Sequence, residues 1–130
     1  MEIPLVPPHG HETDHDRGPM LASLSNAIVG LYKVYYGKGP TKARSYYLDD
    51  MVLCVLRGGL TRAEQTLAKS GRADAVARQR QEFQAAVRDE FIGAVERIVG
   101  RRVVAFMSNV HMDPDLNVEI FMLERRAETE

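Results

Sequence analysis

The sequence predicts an α+β fold, in which an antiparallel sheet of two hairpins has helices packed on one face. Two observations predict it. An amphipathic helix over Leu21–Tyr35 is followed by two short apolar strands, and a second such helix, ending at Val99, is followed by two more. A short helix between these halves completes the order α-ββ-α-α-ββ. Because 130 residues is the length of one domain, we expect a single domain over residues 20–124.

The composition is that of a soluble, cytoplasmic protein. Hydrophobic residues make up 45% of the chain, charged residues 27%, and the net charge is -1. Without a basic excess, nucleic-acid binding is not expected. No apolar run approaches the roughly 18–20 residues that span a bilayer, so direct membrane insertion is not expected either. Met1–Val6 does not have the pattern of a secretory signal. Cys54 lies in an apolar run, which predicts a buried, unreactive thiol.

Residues 1–19 predict a disordered or extended tail, because four of the six prolines fall there. The tail carries His9, His11 and His15 among carboxylates, a composition suited to weak binding of zinc, nickel or copper. The simpler interpretation is a polar tail, since ordering a flexible segment around a metal costs entropy. We therefore expect no resident metal and no cofactor. Residues 125–130 predict a frayed, charged end.

Helix 1 is predicted by a stripe of apolar residues, spaced 3, 4, 3 and 4 apart, which comprises Leu21, Leu24, Ile28, Leu31 and Tyr35. Such a stripe packs on a sheet, and its spacing also suits the seam of a helix pair. The second use makes Leu24 and Ile28 candidate contacts with another copy of the chain. Gly37 ends the helix, and Gly37-Lys38-Gly39-Pro40 predicts a tight loop.

Strands 1 and 2 are predicted over Lys42–Leu48 and Met51–Arg57, with Asp49-Asp50 as the turn. The second strand is apolar on both faces, so it is either central and covered twice or part of a subunit interface. This pattern favours a homodimer. Its candidate interface residues on this strand are Met51, Leu53 and Val55.

The second half of the chain begins with a capping box, in which Thr61 and Glu64 open a short helix. Gly100 ends the helix before the second hairpin. The two strands of that hairpin are predicted over Val103–Met112 and Asn117–Glu124, joined by an Asp-Pro-Asp turn.

Helix 3 is predicted as one continuous helix over Ala73–Val99. With about 26 residues and a rise of 1.5 Å per residue it would be nearly 40 Å long, more than one small domain needs. Its far end is therefore predicted to pack on a second subunit. The candidate contacts on its apolar stripe are Phe83, Val87 and Phe91.

No catalytic constellation is visible, so we predict that the protein is not an enzyme. The remaining candidates are Asp49, Asp50, His111 and Asp113, and each lies in or beside a predicted turn. Neighbouring turn carboxylates rarely converge on one point, and a histidine with no third partner is no proton relay.

A cluster of tyrosines and cations supports an alternative function, the sensing of a small anion or a nucleotide. A pocket between the sheet and helix 1 could hold such a ligand between hydroxyls and cations. Its candidate residues are Tyr36, Lys38, Lys42, Arg44 and Tyr46.

Several motifs together resemble the MpsC family of small bacterial proteins. They are Ser25-Asn26-Ala27-Ile28-Val29, Gly37-Lys38-Gly39-Pro40, Asp49-Asp50-Met51, Leu60-Thr61 with Ala63-Glu64 and Leu67-Ala68, and Gly100. The resemblance covers about residues 20–124. It implies a soluble accessory or regulatory module of a sodium-translocating, membrane-potential-generating system, linked to integral-membrane subunits for ion or inorganic-carbon uptake. It also implies a place in the cytoplasm, peripheral to the inner membrane through such a partner. It implies no catalytic residues.

Overall fold

A computed structural model describes residues 8–126, with side chains described from Arg17 onward. The predicted α+β class with a four-stranded antiparallel sheet is confirmed, and the order is α-ββ-α-α-α-ββ. The elements are α1 (Pro8–Tyr36), β1 (Lys42–Leu48), β2 (Met51–Arg57), α2 (Arg62–Lys69), α3 (Ala73–Ala86), α4 (Arg88–Val99), β3 (Val103–His111) and β4 (Leu116–Leu123).

Helix α1 begins earlier than predicted, at Pro8 rather than Leu21, and it continues through Pro19. The predicted tail over residues 1–19 therefore overlaps the helix from Pro8 onward. The side chains of His9, His11 and His15 lie outside the described residues.

The apolar stripe of α1 faces the core of its own chain. Leu24 and Ile28 have no exposed surface, and Tyr32 is 1% exposed. They pack where α1 crosses β1 and α4. Their complete burial leaves no part of Leu24 or Ile28 for contact with a second copy.

The prediction of a single long helix over Ala73–Val99 is wrong, because Val87 separates α3 from α4. The backbone of Val87 has φ -105° and ψ 14°, outside helical values, although its N–H still donates to the Phe83 carbonyl at 3.0 Å. Val87 and Phe91 are both buried in the core, so a bend lets each half follow the sheet. The helices are 14 and 12 residues long, which removes the argument for a second subunit based on helix length.

The strand order is β1-β2-β4-β3, so the two hairpins join through β2 and β4. Helices pack on one face of this sheet, as predicted, with α1 against β1 and with α3 and α4 against β3. Alternate side chains on that face are buried: Ser45, Tyr47, Val52, Cys54, Leu56, Asn117, Glu119, Phe121 and Leu123. Burial raises the pKa of the Cys54 thiol to about 11, in keeping with the predicted unreactive cysteine.

The opposite face of the sheet is covered by no described helix, and we call it the open face. The strand register shows which residues lie on the open face, since side chains of cross-strand partners point to the same side of the sheet. Its central residues pair Met51 with Met122, Leu53 with Ile120 and Val55 with Val118. All of these are partly exposed. The sequence pattern allows two explanations for the doubly apolar β2, of which the first is that both faces of the strand are covered. Within a single chain that explanation is wrong.

The predicted capping box at the start of α2 is confirmed. The Thr61 hydroxyl accepts from the Glu64 N–H at 3.1 Å, and the Glu64 carboxylate accepts from the Thr61 N–H at 2.8 Å. These bonds satisfy backbone donors that the first turn of a helix leaves free.

We expect Thr61→Ala to lower the free energy of unfolding by about 1 kcal/mol, the usual cost of losing such a cap. Urea unfolding followed by circular dichroism measures it. Thr66→Ala is the matched control, because the Thr66 hydroxyl only donates to the Arg62 carbonyl on the exposed side of the same helix. Equal losses in the two variants would contradict the assignment.

Candidate functional site

A cluster of polar side chains lies inside the core, centred on Glu119. Its members are Tyr32, Gln84, Ser108, Asn117 and Glu119, and we call it the Glu119 cluster. Tyr32 donates a hydrogen bond to the Glu119 carboxylate. The same carboxylate accepts from Ser108 at 3.1 Å, from Asn117 at 2.8 Å and from Gln84 at 3.4 Å. Glu119 has no exposed surface.

The Glu119 carboxylate lies in an unusual electrostatic environment. No cation is within ion-pair distance of Glu119 among the described residues. Burial raises its pKa to about 7, and the hydrogen bonds from Tyr32 and Ser108 offset this only in part. Burial and the neighbouring carboxylate also raise the pKa of Tyr32, so its hydroxyl keeps its proton and remains a donor. Glu119 is therefore poised to titrate near neutral pH.

Arg80 forms a second, adjacent polar feature, and it is 7% exposed. Its guanidinium donates from Nε and Nη2 to both oxygens of Glu64 at 2.7 Å, and from Nη2 to the Gly59 carbonyl at 3.0 Å. Burial would lower the pKa of Arg80, but this pairing raises it above its ordinary value. The pairing likewise outweighs burial at Glu64 and lowers the pKa of that carboxyl. The pair is thus fully charged and ties α2 to α3.

A cavity of about 240 Å³ opens beside this ion pair, between the end of α1, the start of α2 and the middle of α3. Its wall includes the rings of Tyr35, Tyr36 and Phe83, together with Thr61. The Tyr36 hydroxyl donates to Gln84 at 2.8 Å, which connects the wall of the cavity to the Glu119 cluster.

The five residues predicted for anion binding lie in two separate places. Tyr36 lines the cavity just described, and the Lys38 ammonium donates to the Leu60 carbonyl at 3.0 Å, where it holds a loop. Lys42, Arg44 and Tyr46 lie together on the open face. With Arg57 they line a shallow cavity of about 580 Å³ at the β1 edge of the sheet.

The predicted interface residues also separate. Met51, Leu53 and Val55 lie on the open face and are partly exposed. Phe83 lines the cavity beside Arg80. Val87 and Phe91, at 6% and 0% exposure, belong to the core and are not available to a partner.

The turn residues considered for catalysis do not meet. Asp50 accepts from Arg101 at 2.7 Å, and its carbonyl accepts from the Leu123 N–H. The other turn lies beyond the opposite end of β2, where the Gly58 N–H donates to the Asp115 carbonyl. Asp49 and Asp50 are therefore separated from His111 and Asp113 by the length of the sheet. His111 contacts the Pro114 carbonyl in its own turn, at 3.0 Å.

The sequence reasoning missed Glu119 and its partners, although β4 carries a signal. In Leu116–Leu123, Asn117 and Glu119 alternate in step with Phe121 and Leu123, so all four share one face. Arg80 gave a similar signal, because it falls within the apolar stripe of its helix.

Within residues 8–126, no helix is long and apolar enough to cross a membrane. Over residues 17–126, whose side chains the structure describes, no three or more His, Cys, Asp or Glu side chains come together as metal ligands.

Comparison with known proteins assigns the chain to a family. A family model described as "Na+-translocating membrane potential-generating system (MpsC)" matches residues 16–125. The chain belongs to the MpsC family. Membership confirms the resemblance seen in the sequence and links the chain to that Na+-translocating system. The match runs from α1 to the end of β4 and so contains both the Glu119 cluster and the open face.

A relative of this MpsC protein is the "Uncharacterized protein YrhF" of Bacillus subtilis (strain 168). The two are 24% identical over 107 residues, which cover 81% of this chain and 88% of the relative. No solved structure matches the chain.

Proposed function

We propose that the protein is a non-enzymatic accessory module of the Na+-translocating system, acting through protein–protein contacts made by its open face. The observation that carries this proposal is an apolar sheet face that no described helix covers. A sheet with one apolar face open to water is a surface that needs a partner.

The size and exposure of the face support a contact surface. Leu48 and Met107, on the outer strands, are 51% and 49% exposed. Three spacings of about 4.8 Å between strands, and seven residues of about 3.3 Å along them, give a face of roughly 300 Å². The largest apolar patch on a typical soluble monomer is of about this size, and such patches are often functional.

We propose that the open face binds a second copy of this chain. A twofold pair buries the same patch on both copies, so the patch must suit itself. The two central strands supply an apolar centre, while Lys42, Arg44 and Arg57 lie at one end as a polar rim. No acidic residue lies on this face, so packing two such sheets about 10 Å apart leaves no carboxylate buried without a cation.

Family membership suggests where the dimer acts. In this proposal the dimer binds an integral-membrane subunit for ion or inorganic-carbon uptake, and that subunit holds the protein at the inner membrane. A pull-down of the tagged chain from cross-linked cells, with the membrane fraction included, checks this part. Recovery of a multi-span transporter subunit is the expected result, and recovery of the bait alone would overturn it.

We expect Leu53→Glu to abolish the dimer, because it places a carboxylate at the centre of the face. The dissociation constant should rise at least about 100-fold, since the charge would be buried without a partner. Sedimentation equilibrium at about 1–100 µM, a range that spans weak and tight dimers, measures the change.

The matched control is Val34→Glu, which also replaces an aliphatic residue by glutamate. Val34 is 71% exposed on α1 and lies away from the sheet, so this variant should stay dimeric. A wild-type monomer throughout the concentration range, or a Leu53→Glu variant that dimerises as the wild type does, would overturn the proposal.

One observation favours the alternative of anion sensing. Lys42, Arg44 and Arg57 share a shallow cavity with Tyr46, and none of them takes part in an ion pair among the described residues. A monomer whose melting temperature rises with added inorganic phosphate would move the assignment to this function.

A further inference from the structure

We propose that the cavity between α1, α2 and α3 is a binding site for a small aromatic carboxylate. This site is distinct from the open face, and the proposal does not depend on the dimer. The cavity has a volume of about 240 Å³ and opens to solvent. A ring bearing one carboxylate, with about ten non-hydrogen atoms, fits within it, since a water molecule occupies about 30 Å³.

The aromatic wall is suited to a planar ring. The rings of Tyr36 and Phe83 have centroids 4.7 Å apart and are tilted by 41°. Tyr36 is held at two points, because its hydroxyl donates to Gln84 and its ring packs nearly perpendicular to that of Tyr32, at a centroid distance of 4.7 Å. Because these contacts already fix the Tyr36 side chain, packing a ligand ring against it costs little additional side-chain entropy.

The polar side of the cavity is rich in donors. Both oxygens of Glu64 already accept hydrogen bonds from Arg80, and one also accepts from the Thr61 N–H. That carboxylate is therefore occupied and offers a ligand little capacity as an acceptor. The Thr61 hydroxyl accepts from the Glu64 N–H, which leaves its own proton available for a ligand.

Arg80 supplies the charged donor. Its hydrogen bonds leave from Nε and Nη2, and no described residue accepts from Nη1. No buried side-chain nitrogen or oxygen of the described residues lacks a partner, so Nη1 is not fully buried. Arg80 lines this cavity and a much smaller one of about 30 Å³, and only the larger has room for a ligand.

These features together select the ligand class. A carboxylate accepts from Arg80 Nη1 and the Thr61 hydroxyl, and charge-assisted bonds of this kind are about twice as strong as neutral ones. A ring attached to the carboxylate then lies against Tyr36 and Phe83. An amine would meet the Arg80 guanidinium, which repels it, and a Glu64 carboxylate whose oxygens already accept hydrogen bonds, so a cationic ligand is disfavoured.

Titration of the full chain with benzoate, followed by amide chemical shifts, tests the proposal. We expect a dissociation constant of about 0.1–1 mM, which is reasonable for so small a ligand. Shifts should be confined to the end of α1, the start of α2 and the middle of α3, which form the cavity. Benzyl alcohol, which has the ring without the charge, should bind at least about tenfold more weakly.

Phe83→Leu should weaken benzoate binding at least about tenfold, because it removes one aromatic wall while leaving an apolar side chain. The matched control is Phe106→Leu, since Phe106 is also partly buried but stacks on Phe91 and Phe121 away from the cavity. Tyr35→Phe keeps the ring and should retain binding within a few-fold, which guards against a general loss of structure.

Three results would overturn the proposal: no shifts at benzoate concentrations of about 10 mM, equal affinity of the wild type and Phe83→Leu, or equal affinity for benzoate and benzyl alcohol. None of these results bears on the oligomeric state, so failure here is distinguishable from failure of the proposed dimer.

Discussion

Replacement of Glu119 by alanine should lower the free energy of unfolding by about 3–5 kcal/mol. The Glu119 carboxylate accepts hydrogen bonds from Tyr32, Ser108 and Asn117 in the interior of the domain. Alanine leaves those donors without an acceptor and also leaves a cavity, and each effect destabilises the folded state.

Urea unfolding at about pH 6, where the raised pKa keeps Glu119 largely protonated in the folded state, measures the loss. Glu82→Ala is the control, because Glu82 is exposed on α3, and it should change stability by less than about 0.5 kcal/mol. A loss below about 1 kcal/mol for Glu119→Ala would mean that the cluster contributes little to folding.

The stability of the protein should fall as the pH rises from about 5 to about 8. Burial raises the pKa of Glu119 to about 7 in the folded state from an ordinary value of 4.5, so the folded protein binds this proton more tightly than the unfolded chain. The contribution is fully present below the unfolded pKa and is lost as the pH passes through the folded pKa. At 1.36 kcal/mol per unit, the loss over this window is about 2–3 kcal/mol.

Glu119→Gln is the matched variant, because its single amide oxygen can accept the hydrogen bonds from Tyr32, Ser108 and Asn117, which all go to one oxygen of Glu119, and the amide has no proton to lose. The difference in unfolding free energy between wild type and variant should therefore change with pH, while the histidines common to both cancel. Glu64 does not affect the pH dependence between about pH 5 and 8. Its pKa is lowered in the folded state, so its contribution to stability is lost only at acid pH. Parallel stability curves for the two proteins between about pH 5 and 8 would contradict the raised pKa of Glu119.

The candidate site could be predicted from the sequence only in fragments. Tyr36 was identified among the tyrosines and does line a cavity, but Lys42, Arg44 and Tyr46 lie on the other side of the sheet. Sequence proximity misled here because Lys42, Arg44 and Tyr46 share the open face of β1, whereas α1, which carries Tyr36, packs on the opposite face. Lys38 was assigned to a ligand, whereas its ammonium has an acceptor in the Leu60 carbonyl, a contact set by the path of the loop.

The long helix shows a different kind of error. Apolar residues continue through Val87 with helical spacing, and nothing in the pattern around Val87 predicts a break. The break follows from packing, since two short helices can bury both Val87 and Phe91 against a twisted sheet. Periodicity reports which face of a helix is apolar and says little about whether its axis stays straight.

The sequence by itself determined the family, the α+β class, the four strands and the capping box at Thr61. These depend on local spacing and on backbone hydrogen bonds within a few residues. Only the tertiary structure decided that Glu119 meets Tyr32 in the core, 87 positions apart in the chain, and that Arg80 pairs with Glu64 beside a cavity. The physical reason is that burial and desolvation depend on which elements pack together, and strand order and helix bends set that packing.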